Sequence, residues 1–260
     1  PSKAPLRAAI VITFAYHLSK VKDTLNRPKQ LLLLLLHGLL PVAIIHLQGD
    51  DGTALVMAVI FAAMLFTAGL SWKYILPVAA MIPPAAIVAW NFLLDDDKKN
   101  RILAVIDPTL VEAADSWQQQ RGLISIGNGG LWGNGVFMET GQFRYVPEVY
   151  NDFIFTYIGE TVGFIGCLAV LLVLAFLCIR ILSNGLRAPD DLGKYICVGV
   201  FAMIGIQIII NIGMCLGMMP VIGVTLPFLS AGGTSTGTLY LAIGVVLSVY
   251  VHSGKDRLFG

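Results

Sequence analysis

The sequence has little charge and few cysteines. Charged residues make up 13% of its 260 residues, the formal net charge is +1, and 57% of the residues are hydrophobic. A soluble domain has about 25% charged and 45–50% apolar residues. The contrast excludes an ordinary soluble domain and a disordered chain. So few lysines and arginines also argue against a nucleic-acid partner.

The cysteines lie inside apolar stretches, with no C-x-x-C pair and no histidine at ligand spacing. This favours small buried hydrophobic side chains over disulfides or metal ligands. They are Cys167, Cys178, Cys197 and Cys215. No charged region with a cleavage site precedes the first apolar stretch, so we expect no signal peptide. Because the sequence opens on Pro1, we expect the natural N-terminus to lie further upstream.

Seven apolar segments account for most of the chain. A helix of about 20 residues matches a hydrocarbon layer of about 30 Å, and these segments do not alternate with the period of two that a barrel requires. They therefore predict an all-α, polytopic transmembrane helix bundle. The segments cover approximately residues 8–18, 31–47, 53–70, 74–94, 153–182, 195–219 and 237–251.

Basic residues predict the orientation of this bundle. They concentrate in the connections 19–30 and 180–194 and in the tail after residue 251, and the positive-inside rule places these on the cytoplasmic side. We therefore expect a multi-pass membrane protein with these connections in the cytoplasm. Residues 1–260 then form one membrane domain, and residues 95–151 are an extracytoplasmic loop within it. A short helix over 112–126 is predicted to lie on the membrane surface.

Two acidic residues mark the end of this loop and the next apolar segment. Asp152 precedes the segment, and its carboxylate is interpreted either as a helix N-cap or as a general base at the mouth of a membrane cavity. Glu160 lies about 12 Å deeper along the helix. An ionisable group inside a span is a functional-site hypothesis, and an interhelical hydrogen bond is the alternative.

Three other polar or irregular stretches have a structural and a functional interpretation. Asp50 and Asp51 favour helix capping over cation binding. The glycine-rich run 127–135 favours tight packing of an outer loop against the bilayer face, although its backbone N–H groups suit an anion. The irregular stretch 220–235 must be buried in protein or line a wet cavity, as broken helices do in transporters. Asn211 and Gln207 are interpreted as helix–helix contacts, and His37 and His46 as structural.

These stretches together resemble the SEDS (shape, elongation, division and sporulation) family. The pattern P-E-x-x-x-D-F-I-F…G-E-E is similar to the sequence from Pro147 to Glu160. The pattern N-x-G-M…P-x-x-G-x-x-L-P-F-x-S-x-G-G-[ST]-S is matched from Asn211 to Ser235. Further similarities lie at 48–54, at Arg101 and Asp107-Pro108, and from Trp117 to Gly135. Family proteins have about ten spans, so the resemblance implies about three before Pro1.

The resemblance implies a peptidoglycan glycosyltransferase that polymerises lipid II at the outer face of the cytoplasmic membrane. It implies transfer with inversion and a polyprenyl-pyrophosphate leaving group, with Asp152 as the catalytic carboxylate. The leaving group needs cationic or metal help, so a divalent cation, Mg²⁺ or Mn²⁺, is a possible cofactor. The implied partners are membrane lipid and a class B penicillin-binding transpeptidase. The expected substrate-binding residues are Glu160, Gln118, Arg101, Arg121, Glu148, Lys3, Ser230, Gly232 and Gly233.

The sequence departs from the family pattern at a few positions. Lys3 replaces a glutamate and Leu6 a lysine near the N-terminus, which concerns the cationic part of the site. Thr161, Asn134 and Ala231 replace a glutamate, a lysine and a tyrosine. Two other functions stay open for this sequence: a lipid-linked-sugar flippase or transporter, and a non-catalytic scaffold for a transpeptidase.

Overall fold

A computed structural model describes residues 4–136 and 141–259, and all regular secondary structure in those residues is helical. The helices are α1 (Ala4–Val21), α2 (Pro28–Leu47), α3 (Asp51–Thr67), α4 (Trp72–Val88), α5 (Asp96–Ile106), α6 (Ala113–Asn128), α7 (Ile154–Leu186), α8 (Asp191–Cys215) and α9 (Gly233–Phe259). Alpha-helix α4 continues as a π-helical turn, Ala89–Leu93, and single 3-10 turns cover Lys22–Thr24, Pro108–Leu110 and Gln142–Tyr145.

The predicted helical bundle is confirmed, and each of the seven apolar segments forms a helix. Within the described ranges, five helices are long and apolar enough to cross a membrane: α2, α4 with its π-helical turn, α7, α8 and α9. Alpha-helix α3 is a shorter apolar helix. Alpha-helix α6 confirms the short helix predicted over 112–126. The protein is therefore a multi-pass membrane protein.

Local sequence signals set several helix ends. Pro28 is in the first turn of α2, where its missing N–H costs nothing. The carboxylate of Asp50 accepts a hydrogen bond from the Thr53 backbone N–H (2.9 Å), which confirms the predicted cap of α3. Alpha-helix α8 ends at Cys215, four residues before the predicted end, because Gly217 has a left-handed φ of 70°.

The chain divides into two compact units. Unit 1 comprises residues 1–70, 172–208 and 231–260, and its core packs side chains of α1, α3 and α8. Phe14 and Phe61 form an edge-to-face ring pair with centroids 4.7 Å apart. The amide of Asn184 donates to the Val246 carbonyl oxygen (2.8 Å). Lys22 pairs with Asp191 at 2.7 Å, and this hydrogen-bonded carboxylate raises the pKa of the Lys22 amine.

Unit 2 comprises residues 71–171 and 209–230. It holds α4, α5 and α6, the first half of α7, the end of α8 and the irregular segment Pro220–Ser230. Phe153 is completely buried in this unit, together with Met214 and Cys215 of α8. Burial of the Phe153 side chain fixes the point at which α7 begins. It therefore also fixes the position of Asp152, which is one residue before Phe153.

Candidate active site at the start of α7

A tight turn carries Asp152 to the beginning of α7. The Glu148 carbonyl oxygen accepts hydrogen bonds from the backbone N–H groups of Asn151 (2.9 Å) and Phe153 (3.2 Å). Glu148 has a left-handed φ of 54°, and its carboxylate accepts a hydrogen bond from the Asn151 side chain. With Phe153 buried immediately afterwards, the turn leaves Asp152 little freedom to move. Its carboxylate is therefore held in a defined place.

The Asp152 carboxylate is half-buried and keeps room for a further donor. Its Oδ1 atom is buried and accepts no hydrogen bond from any residue between 4 and 136 or between 141 and 259. Burial raises the pKa of Asp152 above its usual range, and the nearby charge of Glu148 raises it further. The proximity of its own backbone N–H opposes this rise in pKa. Such a carboxylate is a stronger base than one in water, and one of its oxygens is left without a hydrogen bond from the described residues.

The irregular segment Pro220–Ser230 lies beside this carboxylate. The Nδ2 atom of Asn211 donates to the carbonyl oxygens of Asp152 and Val224, both at 2.7 Å. Arg101 of α5 donates from Nη1 to the Val221 carbonyl oxygen (3.2 Å). Gly223 has a left-handed φ of 68°, and a Cβ built on it would lie 3.8 Å from Oδ2 of Asp152. The segment is thus held in unit 2 with its backbone close to the carboxylate.

Glu160 is 1% exposed and anchors the segment that precedes α7. Its Oε1 accepts a hydrogen bond from the Gln142 N–H (2.8 Å), and its Oε2 accepts one from the Phe143 N–H (2.7 Å). The Ser125 hydroxyl of α6 also donates to Oε2. Both oxygens therefore have protein donors. The bond from Ser125 of α6 is an interhelical hydrogen bond, the alternative to a functional site stated for Glu160, and the other two donors belong to the 3-10 turn Gln142–Tyr145.

Two further predicted residues line this part of unit 2. Gln118 of α6 donates from Nε2 to the Pro147 carbonyl oxygen (3.0 Å), which connects α6 to the turn before Asp152. Arg121, one turn further along α6, donates to the Gln142 side-chain oxygen (3.3 Å). Its guanidinium also lies over the Trp117 ring, 5.8 Å from the centroid. Arg121 therefore has a fixed orientation and keeps donors for an anion.

Alpha-helix α7 is broken at Gly163, and the glycine-rich run pairs with the break. Gly163 has φ 72° and ψ −171°, a backbone conformation essentially restricted to glycine. The N–H groups of Asn134 and Gly135 donate to the carbonyl oxygens of Glu160 and Thr161 (2.9 and 3.0 Å). In return, Phe164 N–H donates to the Gly130 carbonyl oxygen (2.9 Å). The predicted tight packing of this run is therefore packing against α7.

The remaining predicted residues have the following places. The Ser230 hydroxyl oxygen accepts a hydrogen bond from the Leu226 N–H (2.8 Å) and so closes a turn of the irregular segment. Gly232 and Gly233 belong to unit 1, where the Gly232 carbonyl oxygen caps the first turn of α9 by accepting from Thr236 N–H (2.9 Å). Lys3 lies outside the described residues.

Sequence reasoning missed the partners that position these groups. Gln119, one residue after Gln118, donates to the carbonyl oxygens of Met214 and Met219, both at 2.9 Å. Asn211 was expected to be an ordinary helix–helix contact, and Ser125 carried no prediction. The available signal in the sequence was that Gln119, Ser125 and Asn211 are polar residues on otherwise apolar helix surfaces. The partners of Ser125 and Asn211 in Glu160 and Asp152 lie more than thirty residues away, where spacing gives no guidance.

The donor set does not form a metal cage. In the described ranges, no group of three or more histidine, cysteine, aspartate or glutamate residues is placed to hold a metal ion. Asp152 and Glu148 are neighbours, but two carboxylates alone do not form a dedicated site for Mg²⁺. Mg²⁺ is usually held by one or two carboxylates together with substrate phosphates, so the Mg²⁺ or Mn²⁺ expected from the sequence stays a prediction.

The fold and the site define a polytopic α-helical membrane protein with a half-buried, incompletely hydrogen-bonded carboxylate at the start of a spanning helix. The chain belongs to the FtsW/RodA/SpoVE family of cell cycle proteins, whose sequence model matches residues 3–255. This confirms the family that the sequence motifs indicated.

Curated relatives from several bacteria align with most of the chain. The peptidoglycan glycosyltransferase MrdB of Escherichia coli K12 is 33% identical over 218 residues, which cover 82% of this chain and 58% of the relative. Stage V sporulation protein E of Bacillus subtilis is 37% identical over 210 residues, covering 81% of this chain and 57% of the relative. The probable peptidoglycan glycosyltransferase FtsW of Geobacter metallireducens is 30% identical, covering 94% and 64%. The chain thus spans about three fifths of the length of these relatives.

Solved structures share the fold. A chain from a study of a peptidoglycan synthase complex that coordinates polymerisation and crosslinking aligns with a TM-score of 0.76 and 24% identity, covering 97% of this chain and 70% of that chain. The rod shape determining protein RodA of Thermus thermophilus aligns with a TM-score of 0.63 and 24% identity, covering 96% and 65%. At 24% sequence identity, this similarity shows a shared fold and no more.

Proposed function

We propose that this protein is a peptidoglycan glycosyltransferase that polymerises lipid II at the outer face of the bacterial cytoplasmic membrane. Its relatives support this activity, since MrdB is named a peptidoglycan glycosyltransferase and FtsW a probable one. The observation that carries the proposal is the Asp152 carboxylate. It is half-buried, its Oδ1 has no donor among the described residues, and its pKa is raised by burial.

Asp152 acts as the general base in this mechanism. Its carboxylate accepts the proton of a sugar hydroxyl on the acceptor, and the hydroxyl oxygen attacks the anomeric carbon of the donor. The bond between that carbon and the pyrophosphate oxygen breaks, and the electron pair leaves with the polyprenyl pyrophosphate. Attack from the face opposite the leaving group inverts the anomeric centre. The raised pKa makes the carboxylate a better proton acceptor at neutral pH.

Cationic side chains stabilise the leaving pyrophosphate. Arg121 has a defined orientation over Trp117, and a guanidinium presents donors in a geometry that suits phosphate oxygens. Arg101 uses Nη1 to hold Val221 and has further donors for the same purpose. Lys3 is a third candidate by sequence. These residues supply the positive charge that a developing phosphate oxyanion requires.

The other predicted residues contribute to the shape of the site. Gln118 and Glu148 fix the turn before Asp152, while Ser230, Gly232 and Gly233 are assigned to the substrate-binding surface by sequence. Glu160 is assigned a positioning role, because its two oxygens already accept hydrogen bonds from Ser125 and from two backbone N–H groups. It holds the extracytoplasmic segment against α7, with Asp152 eight residues before it on the chain.

A class B penicillin-binding transpeptidase is the proposed partner. Polymerised strands need crosslinking, and a chain with this fold occurs in a study of polymerisation and crosslinking by a peptidoglycan synthase complex. The relatives' names support a role in cell shape, division or sporulation. Co-purification of the full-length protein with the transpeptidase from detergent-solubilised membranes tests this partnership.

The decisive experiment compares Asp152→Ala with wild type in the full-length protein. Purified lipid II in liposomes is incubated with each protein, and glycan chains are resolved by gel electrophoresis. We expect Asp152→Ala to reduce polymerisation by roughly 100-fold or more, in line with the loss of a general base. Asp97→Asn is the matched control, because Asp97 is an exposed acid of the same extracytoplasmic segment. Normal polymerisation by Asp152→Ala would overturn the mechanism.

The same liposomes separate the two other candidate functions. A flippase moves lipid II between the leaflets and forms no polymer, so a leaflet-accessibility assay gives a signal while the gel does not. A scaffold gives neither signal and still binds the transpeptidase. Either pattern for the wild-type protein would replace the glycosyltransferase assignment.

A further inference from the structure

One buried amide connects Asp152 to the irregular segment Pro220–Ser230. Asn211 of α8 is completely buried, and its Nδ2 atom donates to the backbone carbonyl oxygens of Asp152 and Val224, both at 2.7 Å. Its two N–H bonds are thereby both used. Both acceptors lie in irregular backbone, which has no helical partner for its carbonyl groups. Asn211 therefore fixes the distance between the two stretches of main chain.

The segment is held from a second side and leaves space next to the carboxylate. Arg101 donates to the Val221 carbonyl oxygen, so the stretch 221–224 has a tether at each end. Gly223 lies between these tethers. A Cβ built on Gly223 would lie 3.8 Å from Asp152 Oδ2 and would approach no other atom of the described residues within 4 Å. The space in front of Oδ2 is therefore bounded by backbone and left open by the missing side chain.

A hydroxyl that donates a hydrogen bond to Oδ2 of Asp152 from this side would pass close to Gly223. An oxygen that donates a hydrogen bond to a carboxylate lies about 2.5–3.0 Å from it. With a Cβ on Gly223 at 3.8 Å from Oδ2, an incoming hydroxyl and its carbon would meet that Cβ at or inside van der Waals contact. Because Gly223 has no side chain, a hydroxyl can approach Oδ2 of Asp152 from this side. Any larger residue at this position would restrict that approach.

We propose that the segment Pro220–Ser230 forms one wall of the acceptor-sugar subsite, that Gly223 faces the acceptor hydroxyl, and that Asn211 is the positioning residue that holds this wall against Asp152. The proposal rests on the glycosyltransferase function and names the surface that binds its acceptor. The ligand is the hydroxyl-bearing sugar end of a lipid-linked glycan. Asn211 acts through Asp152 and Val224 and does not itself contact the sugar.

The first test compares two buried asparagines in the full-length protein. Asn211→Ala removes the double hydrogen bond, whereas Asn184→Ala removes the single bond from a buried amide to Val246 in unit 1. We expect Asn211→Ala to lower kcat for lipid II polymerisation roughly 100-fold, as misplacement of a reacting group does, and Asn184→Ala to leave kcat within about twofold to threefold of wild type. Loss of the wall also hydrates Asp152, so the acid limb of the pH–rate profile moves to lower pH.

The second test needs no buried polar substitution. Gly223→Ala and Gly217→Ala both place a Cβ at a left-handed glycine (φ 68° and 70°), and Gly217 faces the Leu123 side chain. The backbone strain is therefore matched, and the neighbour of the new methyl group differs. We expect Gly223→Ala to raise the KM for lipid II roughly tenfold or more, because the methyl group blocks the acceptor. Gly217→Ala keeps the wild-type KM.

The outcomes separate this inference from the function on which it rests. Equal effects of the two glycine variants on KM overturn the acceptor wall, even if the Asn211 variant fails to fold. Equal effects of the two asparagine variants on kcat and on the pH profile overturn the positioning role. In either case an inactive Asp152→Ala leaves the glycosyltransferase assignment intact. Full polymerisation by Asp152→Ala removes the function and the inference together.

Discussion

Glu160→Gln removes one charge and one acceptor from the best-satisfied carboxylate of the site. Glutamine has a single side-chain oxygen, so it accepts hydrogen bonds at the position of only one of the two glutamate oxygens. Its NH₂ group takes the position of the other oxygen. If its oxygen replaces Oε2, Phe143 and Ser125 keep their acceptor and the Gln142 N–H faces another donor. Losing a hydrogen bond to a charged group and leaving a buried donor unpaired costs about 2 to 3 kcal/mol.

This cost should appear as local opening of the 3-10 turn Gln142–Tyr145. Since about 1.4 kcal/mol corresponds to a factor of ten, amide hydrogen exchange at Gln142 and Phe143 should accelerate roughly 30- to 150-fold. Ser125→Ala is the control, because it removes a neutral donor, leaves both amides paired, and should cost about 1 kcal/mol. Exchange rates in Glu160→Gln that equal those of wild type would refute the anchoring role and return Glu160 to direct substrate contact.

Three further predictions concern neighbouring groups. Glu148→Gln removes the charge that helps to raise the pKa of Asp152, so the acid limb of the pH dependence of kcat/KM moves to lower pH; an unmoved limb contradicts the coupling. Gly163→Ala costs about 1–3 kcal/mol, since the backbone conformation is restricted to glycine and the Cβ would lie 2.7 Å from the Leu131 carbonyl oxygen. The melting temperature of Gly163→Ala should therefore fall. That of Gly205→Ala should not, because a Cβ on Gly205 would lie in open space. Asp152→Asn should melt no lower than wild type, because burial disfavours the charged form that it replaces; a clear drop would indicate that the carboxylate stabilises the fold.

Much of the fold was predictable because the bilayer demands long apolar helices. All seven segments form helices, and α6 lies within two residues of its predicted ends. The end of α8 was less accurate, since Met218 and Met219 continue the apolar pattern after Gly217 has already turned the backbone. The break of α7 was not predictable from the sequence, because a single glycine in an apolar helix is common. Nothing in the sequence around Gly163 distinguishes it from other glycines in apolar helices.

The two acidic residues of the candidate site were predictable from the sequence, but their hydrogen-bond partners were not. Asp152 and Glu160 stood out as ionisable groups at and inside an apolar segment. Their environments differ in a way that spacing does not show: within the part of the chain that the structure describes, Oδ1 of Asp152 has no donor, while Glu160 has three. The partners come from distant positions such as Ser125 and Asn211. Only the folded chain brings those positions together, so the different roles of the two acids follow from tertiary structure.

The break in α7 has a consequence for how the protein is made. Carbonyl and N–H groups on both sides of Gly163 are paired with the backbone of 130–135, and each such group left bare in hydrocarbon costs several kcal/mol, on the order of a lost hydrogen bond or more. The nascent chain emerges from the ribosome with residues 130–135 ahead of α7. Release of this helix sideways into lipid is therefore favourable only after the preceding loop has docked on it. Folding of unit 2 therefore couples docking of the stretch 130–135 to the placing of α7 in lipid, because that stretch supplies backbone partners that lipid cannot supply.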